Sequence, residues 1–306
     1  MRGAPLAIAL ILLTGCPSDR TADPTMRGSA LPAPPPMRAL APPALTTITK
    51  LRGPESVLYD PAQDVYFISN INGAMLDVDG NGFISRVDPA TMKVNLKWIA
   101  SGLDGPKGMA ILGDTLYVVD ITAVRKFDRR TGAPLGEITI PSASFLNDIT
   151  TDGQSLYVSD TGIRSGPGIA FYDTGTDAIW KISGDRPQKY ADGPALQHPN
   201  GLDWRDGKLR VVTFRGNALY ELVDGKRRNV AKMPGGQLDG VVHLADGTAL
   251  ISSWKGNEIY RAPARGKAEA ILAGMDAPAD LGYDTKRHRL LIPHPMANQV
   301  TVHTVQ

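Results

Sequence analysis

The chain has one cysteine, Cys16, so no internal disulfide can brace it. It also lacks charge of either sign in excess: 33 Lys and Arg stand against 31 Asp and Glu, for a formal net charge of +2. With the two signs interspersed there is no basic stripe for a nucleic acid to follow, and nucleic-acid binding is disfavoured. The chain has no apolar run long enough to span a bilayer and, beyond Thr46, almost no amphipathic helical periodicity. What remains is a soluble-type composition, 42% hydrophobic, sufficient for a sizeable core.

The first 45 residues stand apart. Arg2 provides a short positive start, Leu6 to Leu13 a short apolar stretch, and "LTGC" then ends on Cys16. This resembles a bacterial lipoprotein signal, in which residues 1–15 are removed and the cysteine is acylated; an ordinary secretory signal with an incidental cysteine is the alternative. Residues 16–45 are rich in Pro, Ala, Ser and Thr ("ALPAPPPMRALAPPA"), the composition of an extended tether. The expected location is the bacterial cell envelope, with the domain of residues 46–306 outside the cytoplasm and a membrane as partner through the lipid.

From residue 46 the pattern is all-β: short runs of Val, Ile, Leu and Tyr punctuated by Asp-Gly, Asn-Gly and Pro. Six runs repeat, "VYFISN", "LYVVDI", "LYVSDT", "LRVVTF", "ALISSW" and "LLIPHP", each preceded by one strand and followed by another. A small antiparallel meander cannot bury both faces alone, and repeats of this length stack radially or linearly. The sixth repeat stops short at Gln306 while "LTTITKL" precedes the first as a spare strand. The expectation is a six-bladed β-propeller over residues 46–306, without WD40 or kelch signatures, whose N-terminal strand closes the last blade. A two-domain β-sandwich is the alternative.

Alignment of the repeats resolves "PNGLDW" at 199 to 204. Asn200-Gly201 has the look of a hairpin turn, yet Asp206-Gly207 follows too closely for both to be turns. In the aligned first strands Asn200 shares a column with Glu55, Lys107, Asn147, Asp239 and Ala279, a ring around the channel. Five of the six are polar. The ring offers four oxygen-bearing side chains, two of them carboxylates, and neither thiolate nor imidazole, which suits a hard divalent cation such as Ca²⁺ and not zinc. The competing reading is that these side chains merely satisfy strand ends.

Glu55, "NDI" at Asn147, "NGL" at Asn200 and "DG" at Asp239 resemble the metal-site motifs of the gluconolactonase and senescence marker protein superfamily, which includes paraoxonases and diisopropyl fluorophosphatase. The resemblance spans the whole propeller. It implies metal ligation by Glu55, Asn147, Asn200 and Asp239, one divalent cation, most commonly Ca²⁺, and hydrolysis of an ester, lactone or phosphotriester. Asp239 would act as general base, or alternatively as nucleophile. Three positions depart from the family. Phe145 replaces the Arg of sugar lactonases, Lys107 the catalytic His of paraoxonases, and Ser56 the acid that, beside Asp148, serves their second calcium. The first favours an apolar ester or lactone over a sugar acid. Lys107 is a candidate catalytic residue if its pKa falls, or else an ion-pair partner of Asp239 or Glu55.

Two other features bear on the site. "DVDGNGFISRVD", Asp77 to Asp88, has the spacing of an EF-hand calcium loop but joins two strands, so a hairpin tip is the default reading. The longest connections on the ring side, "NINGAMLDVDGNG" and "DTGIRSGPGIAFYDTGTDA", are expected to wall the entrance with Phe214, Trp254 and His294. His294 is the histidine placed for acid–base work, though structural histidines are commoner. Two further functional readings stay open, a non-catalytic propeller binding a ligand or protein above a structural cation, and a lyase or isomerase on the same scaffold.

Overall fold

A computed structural model describes residues 43–166 and 169–305. The expected signal segment, most of the tether and Cys16 lie outside the described residues. Six four-stranded antiparallel sheets account for the fold. The only helical element among the described residues is one 3-10 turn, Pro194–Leu196.

The blades follow the sequence repeat. Blade one comprises Pro54–Asp60, Val65–Asn70, Phe83–Val87 and Val94–Ile99, and blade two Pro106–Leu112, Thr115–Asp120, Ala123–Asp128 and Pro134–Thr139. Blade three pairs Leu146–Thr151, Leu156–Asp160, Ala178–Ser183 and Arg186–Asp192; its long connection folds as an extra hairpin of Ile163–Gly166 and Ile169–Asp173. Blades four and five continue from Pro199–Arg205 to Lys226–Lys232 and from Leu238–His243 to Glu269–Ala273. Blade six has only three strands of its own, Gly282–Asp284, Arg289–His294 and Gln299–Thr304, and takes Thr46–Ile48 as its fourth. The register Thr46↔Val302 to Ile48↔Val300 joins the two ends of the ring, as the spare strand in the sequence led one to expect.

Burial explains which runs are most apolar. The innermost strands are covered on both sides by neighbouring blades, whereas outermost strands such as Lys226–Lys232 are mostly exposed. Apolar clusters fill each gap between neighbouring blades. Phe67 of blade one shares a cluster with Met109 of blade two, Val211 of blade four with Tyr157 of blade three, and Tyr66 of blade one with Leu291 of blade six, which carries the core across the closing seam. At about 25 cal/mol per Å² of apolar area buried, these gaps are the main stabilising contribution.

Asp206-Gly207 is the hairpin turn of blade four, with φ of 52° and 72° and Arg205 paired to Lys208 across it. Asn200 lies instead inside the innermost strand, and Gly201 is not among the residues of positive φ. A Cβ on Gly201 would fall 2.2 Å from the backbone oxygen of Asp239. The glycine is there because the next blade comes that close.

Candidate metal centre

Each of the first five innermost strands carries a β-bulge at the same place. In blade one Pro54 pairs with Asn70 and Val57 with Ile68, so Glu55 and Ser56 together oppose Ser69. The same two-against-one step recurs at Lys107-Gly108, Asn147-Asp148, Asn200-Gly201 and Asp239-Gly240. A bulge re-aims its side chains and leaves a backbone group unpaired. In blades one, three and five the stranded N–H of Ser56, Asp148 or Gly240 is taken by the hydroxyl of Ser69, Ser159 or Ser252, at 2.9, 3.0 and 2.8 Å.

Repetition of the bulge gathers Glu55, Asn147, Asn200 and Asp239 around one cavity, with Ile71, Met75, Phe145, Ile163, Phe171, Phe214, Trp254 and Pro295 above them. The four ring side chains are 6, 7, 1 and 4% exposed. Three of their oxygens, Glu55 Oε2, Asn200 Oδ1 and Asp239 Oδ1, are buried without a hydrogen-bond donor. Asn200 spends its Nδ2 on the carbonyl of Leu238, at 3.1 Å, which leaves its oxygen as the free end. Buried acceptors without partners are uncommon because each costs about 1–3 kcal/mol. Several around one cavity are what a cation-binding site would present, so the residues fit the divalent ion that the sequence pattern implied. Among the described residues no group of three or more His, Cys, Asp or Glu is so arranged, and the ring depends on its two amides.

The electrostatics point the same way. Burial, then the charges of Asp239 and Asp280, push the Glu55 carboxyl well above the usual carboxylate range. Burial and Asp280 do the same to Asp239, opposed by Trp254 and Asn200, and burial and Asp280 raise Asp148. Asp280 itself is pushed up to about 7 by burial, opposed by the Ser56 hydroxyl that donates to it. Asp280 sits next to Ala279, the ring position that lacks a polar group, and its backbone N–H reaches the carbonyl of Glu55 at 3.0 Å. It thus belongs to a lower layer of carboxylates that the ring column alone did not reveal. The sequence signal was the residue after each ring position, where Asp148 and Asp280 interrupt a series of Gly and Ser. Both are occupied by the fold: Asp148 accepts from the backbone of Leu202 at 2.6 Å and of Ile149 at 2.7 Å, and Asp280 accepts from Ser56.

Lys107 is buried beside this cluster, with its ammonium held by backbone carbonyls. Its ammonium donates to the carbonyls of Gly105, at 2.8 Å, and Met75, at 3.2 Å, and lies 4.7 Å from the centre of the Phe145 ring. It makes no ion pair with Glu55 or Asp239 within 4.0 Å among the described residues, so the expected pairing is corrected. Burial pulls its pKa down while Glu55 and Asp120 oppose the fall. Its observed task is to pin the Met75 loop over the cavity.

His294 is not brought to the cavity. Its Nδ1 is 2.9 Å from the carbonyl of Asp276 and its Nε2 is 2.9 Å from Thr301 Oγ1, and its neighbour Pro295 takes the wall position. The column it occupies explains this. Asn70, Asp120 and Asp160, which end the same strand in blades one to three, likewise bind the segment entering the innermost strand: Asn70 accepts from Arg52, Asp120 from Asp104 and Gly105, and Asp160 from Ser144 and Phe145.

The EF-hand-like loop also resolves as a tip. Asp79 binds Asn81, and Gly80 donates to Asp104. Asp88 lies past the far end of Phe83–Val87, where it accepts from Ala90 and Thr91 in a separate turn. A strand rises about 3.3 Å per residue, so Asp88 cannot share an ion with Asp77 and Asp79. The two long connections do wall the cavity, through Ile71 and Met75 from one and Ile163 and Phe171 from the other. Phe171 meets Phe214 edge to face at 6.1 Å, and Phe214 meets Trp254 likewise at 6.5 Å.

No protein-family model and no curated protein matches the sequence. Solved structures do match in fold. A gluconolactonase from Xanthomonas campestris aligns over 84% of this chain and 88% of its own, with a TM-score of 0.63 and 18% identity. Regucalcin from Agrobacterium tumefaciens, a calcium-binding protein, aligns over 88% and 96%, with a TM-score of 0.63 and 14% identity. Virginiamycin B lyase from Staphylococcus aureus aligns over 85% and 99%, with a TM-score of 0.60 and 13% identity. The shared fold therefore accommodates both hydrolytic and lyase chemistry, and the site must decide between them.

Proposed function

We propose that Glu55, Asn147, Asn200 and Asp239 hold one divalent cation, Ca²⁺, and that the protein is a metal-dependent hydrolase of an ester, lactone or phosphotriester. The observation that carries this reading is the set of three partnerless buried oxygens on one cavity. An all-oxygen donor set of two carboxylates and two amides suits calcium. The likeness in fold to a gluconolactonase and to a calcium-binding regucalcin supports a lactonase-type hydrolase.

A bound cation would supply positive charge to polarise the carbonyl or phosphoryl oxygen of the substrate. The chain's own residues would do the rest. Asp239, whose Oδ1 has no other partner, takes the proton of the attacking water. Phe145, Phe171 and Phe214 keep bulk water out and seat an apolar acyl group, and Phe145 offers no charge to a sugar acid.

The test is a hydrolase screen with aryl esters, γ- and δ-lactones and phosphotriesters, before and after chelation. Chelator-sensitive turnover that is lost in Asp239→Asn, with the fold intact, supports the reading. Bound calcium with no turnover on any class favours the second reading, a non-catalytic propeller that uses the cation as a brace. One observation favours that alternative: the cavity is about 30 Å³, room for small species unless the Met75 and Phe171 walls part.

Export and acylation at Cys16 complete the proposal, with residues 16–45 tethering the propeller to a membrane of the bacterial envelope. Palmitate labelling of the wild-type chain, absent from Cys16→Ser, would support it. A wild-type chain that stays unlabelled and in the cytoplasm would refute it.

A further inference from the structure

Four buried polar atoms without partners belong to residues of the cavity wall: Glu55 Oε2, Asn200 Oδ1, Asp239 Oδ1 and Trp254 Nε1. Three are acceptors, and a cation answers them together. The fourth is different in kind, because an indole N–H donates and cannot accept. A cation leaves it unsatisfied.

The indole is also held in place. Its ring stands edge-on to Phe214, with 74° between the planes, and the backbone N–H of Trp254 is tied to the carbonyl of Gln237 at 2.9 Å. A fixed donor beside a ring of fixed acceptors calls for a ligand with an electron-rich oxygen that a cation and an N–H can reach from two sides. Paired donors or cations aimed at one oxygen stabilise negative charge as it develops there, which is the logic of an oxyanion hole.

We propose that Trp254 is a second electrophilic element of this site, its indole N–H donating to the same carbonyl, carboxylate or phosphoryl oxygen that the cation polarises. The inference rests on the cation-ring reading above and extends it to the ligand, which must present an acceptor oxygen at its reacting end. A ligand that offers the cation only an amine or a thioether leaves the indole unpaired and is disfavoured. The competing partner for the indole is Asp239, the carboxylate whose ionised form Trp254 favours. In that case Trp254 positions a ring residue and touches no ligand.

The experiment uses ¹⁵N-labelled protein, with the Trp254 indole resonance identified by its loss in Trp254→Phe, and acetate as the probe. Acetate added to calcium-loaded protein is expected to move that resonance downfield. At saturating calcium, Trp254→Phe should bind acetate about fivefold more weakly by calorimetry, the size of one hydrogen bond. A loaded protein whose indole resonance ignores acetate overturns the inference, as does a resonance that completes its shift on calcium alone. No calcium uptake by the wild-type chain removes the ring reading and the inference with it. An acetate shift in a protein that hydrolyses nothing upholds the inference and sinks only the hydrolase reading.

Discussion

Asn200 donates its side-chain N–H to the carbonyl of Leu238, the residue just before Asp239, and this bond fixes which end of the amide faces the axis. It also ties blade four to blade five at the ring. Asn200→Leu removes one of the proposed cation ligands, a buried acceptor that has no other partner. Calcium affinity by calorimetry is expected to fall at least tenfold. The metal-free melting temperature should change by only a few degrees, because the lost bond to Leu238 and the removed unsatisfied oxygen offset each other at about 1 kcal/mol each. Unchanged calcium affinity would remove Asn200 from the site.

The buried carboxylates set a pH dependence whose sign is fixed. Asp280, at about 7, and Glu55, Asp148 and Asp239, all raised, titrate above their unfolded values near 4. The fold therefore favours their protonated forms; the contribution is fully present below pH 4 and is lost as pH rises through the folded values. Chelated protein should lose about 5–10 °C in melting temperature between pH 5 and pH 8. If the proposed calcium site forms, the ion stabilises the ionised forms and should abolish most of that fall. A chelated protein more stable at pH 8 than at pH 5 would contradict this account of the cluster.

The propeller was legible because burial imposes one pattern on every blade, and the ring because its polar residues recur where that pattern would otherwise be apolar. Glu55, Asn147, Asn200 and Asp239 fall together for that reason. The residues that lie elsewhere than expected share one cause: their partners are backbone carbonyls, which a sequence does not display. His294, an imidazole close in sequence to a wall residue, shares a column with Asn70, Asp120 and Asp160, which marks the strand end that binds an incoming segment. Lys107, a cation in a ring with carboxylates, is held by the carbonyls of Gly105 and Met75. Asp280 falls outside the ring column, where blade six offers only Ala279, and shows only in the column one residue on. A bulge has no composition signal of its own, and it is a bulge that sets Asp148 beside Asn147 in blade three, while Asp280 is joined to blade one through Ser56 and Glu55.

Gly201→Ala tests the close approach of blades four and five. The new methyl carbon would lie 2.2 Å from the oxygen of Asp239 and 3.0 Å from Cα of Gly240, both backbone atoms, so neither can swing away. Strain of this kind costs about 1–3 kcal/mol or more and falls directly on a ring residue. The expected result is a lower urea midpoint and weakened calcium binding. Gly207→Ala is the control: its φ of 72° is unfavourable for alanine, unlike that of Gly201, but nothing lies within 4 Å. It should cost stability without touching calcium affinity. Equal losses of calcium affinity in both variants would show that the approach at Gly201 has no special bearing on the ring.

Lys107→Met separates a catalytic role for this residue from a structural one. Methionine nearly conserves the volume, puts a thioether where the ammonium faces Phe145, and removes the positive charge that opposes the rise of Glu55. At a pH high enough to ionise Glu55 the cation no longer faces that repelling charge, so calcium affinity there should rise by a few fold in calorimetry. The carbonyls of Gly105 and Met75 lose their donor, and the loop that carries Met75 should become more open to amide exchange. Any hydrolysis should persist, with the greater change in KM, because Met75 lines the cavity and Lys107 does not. Turnover abolished while calcium still binds and the fold holds would instead place Lys107 in the chemistry.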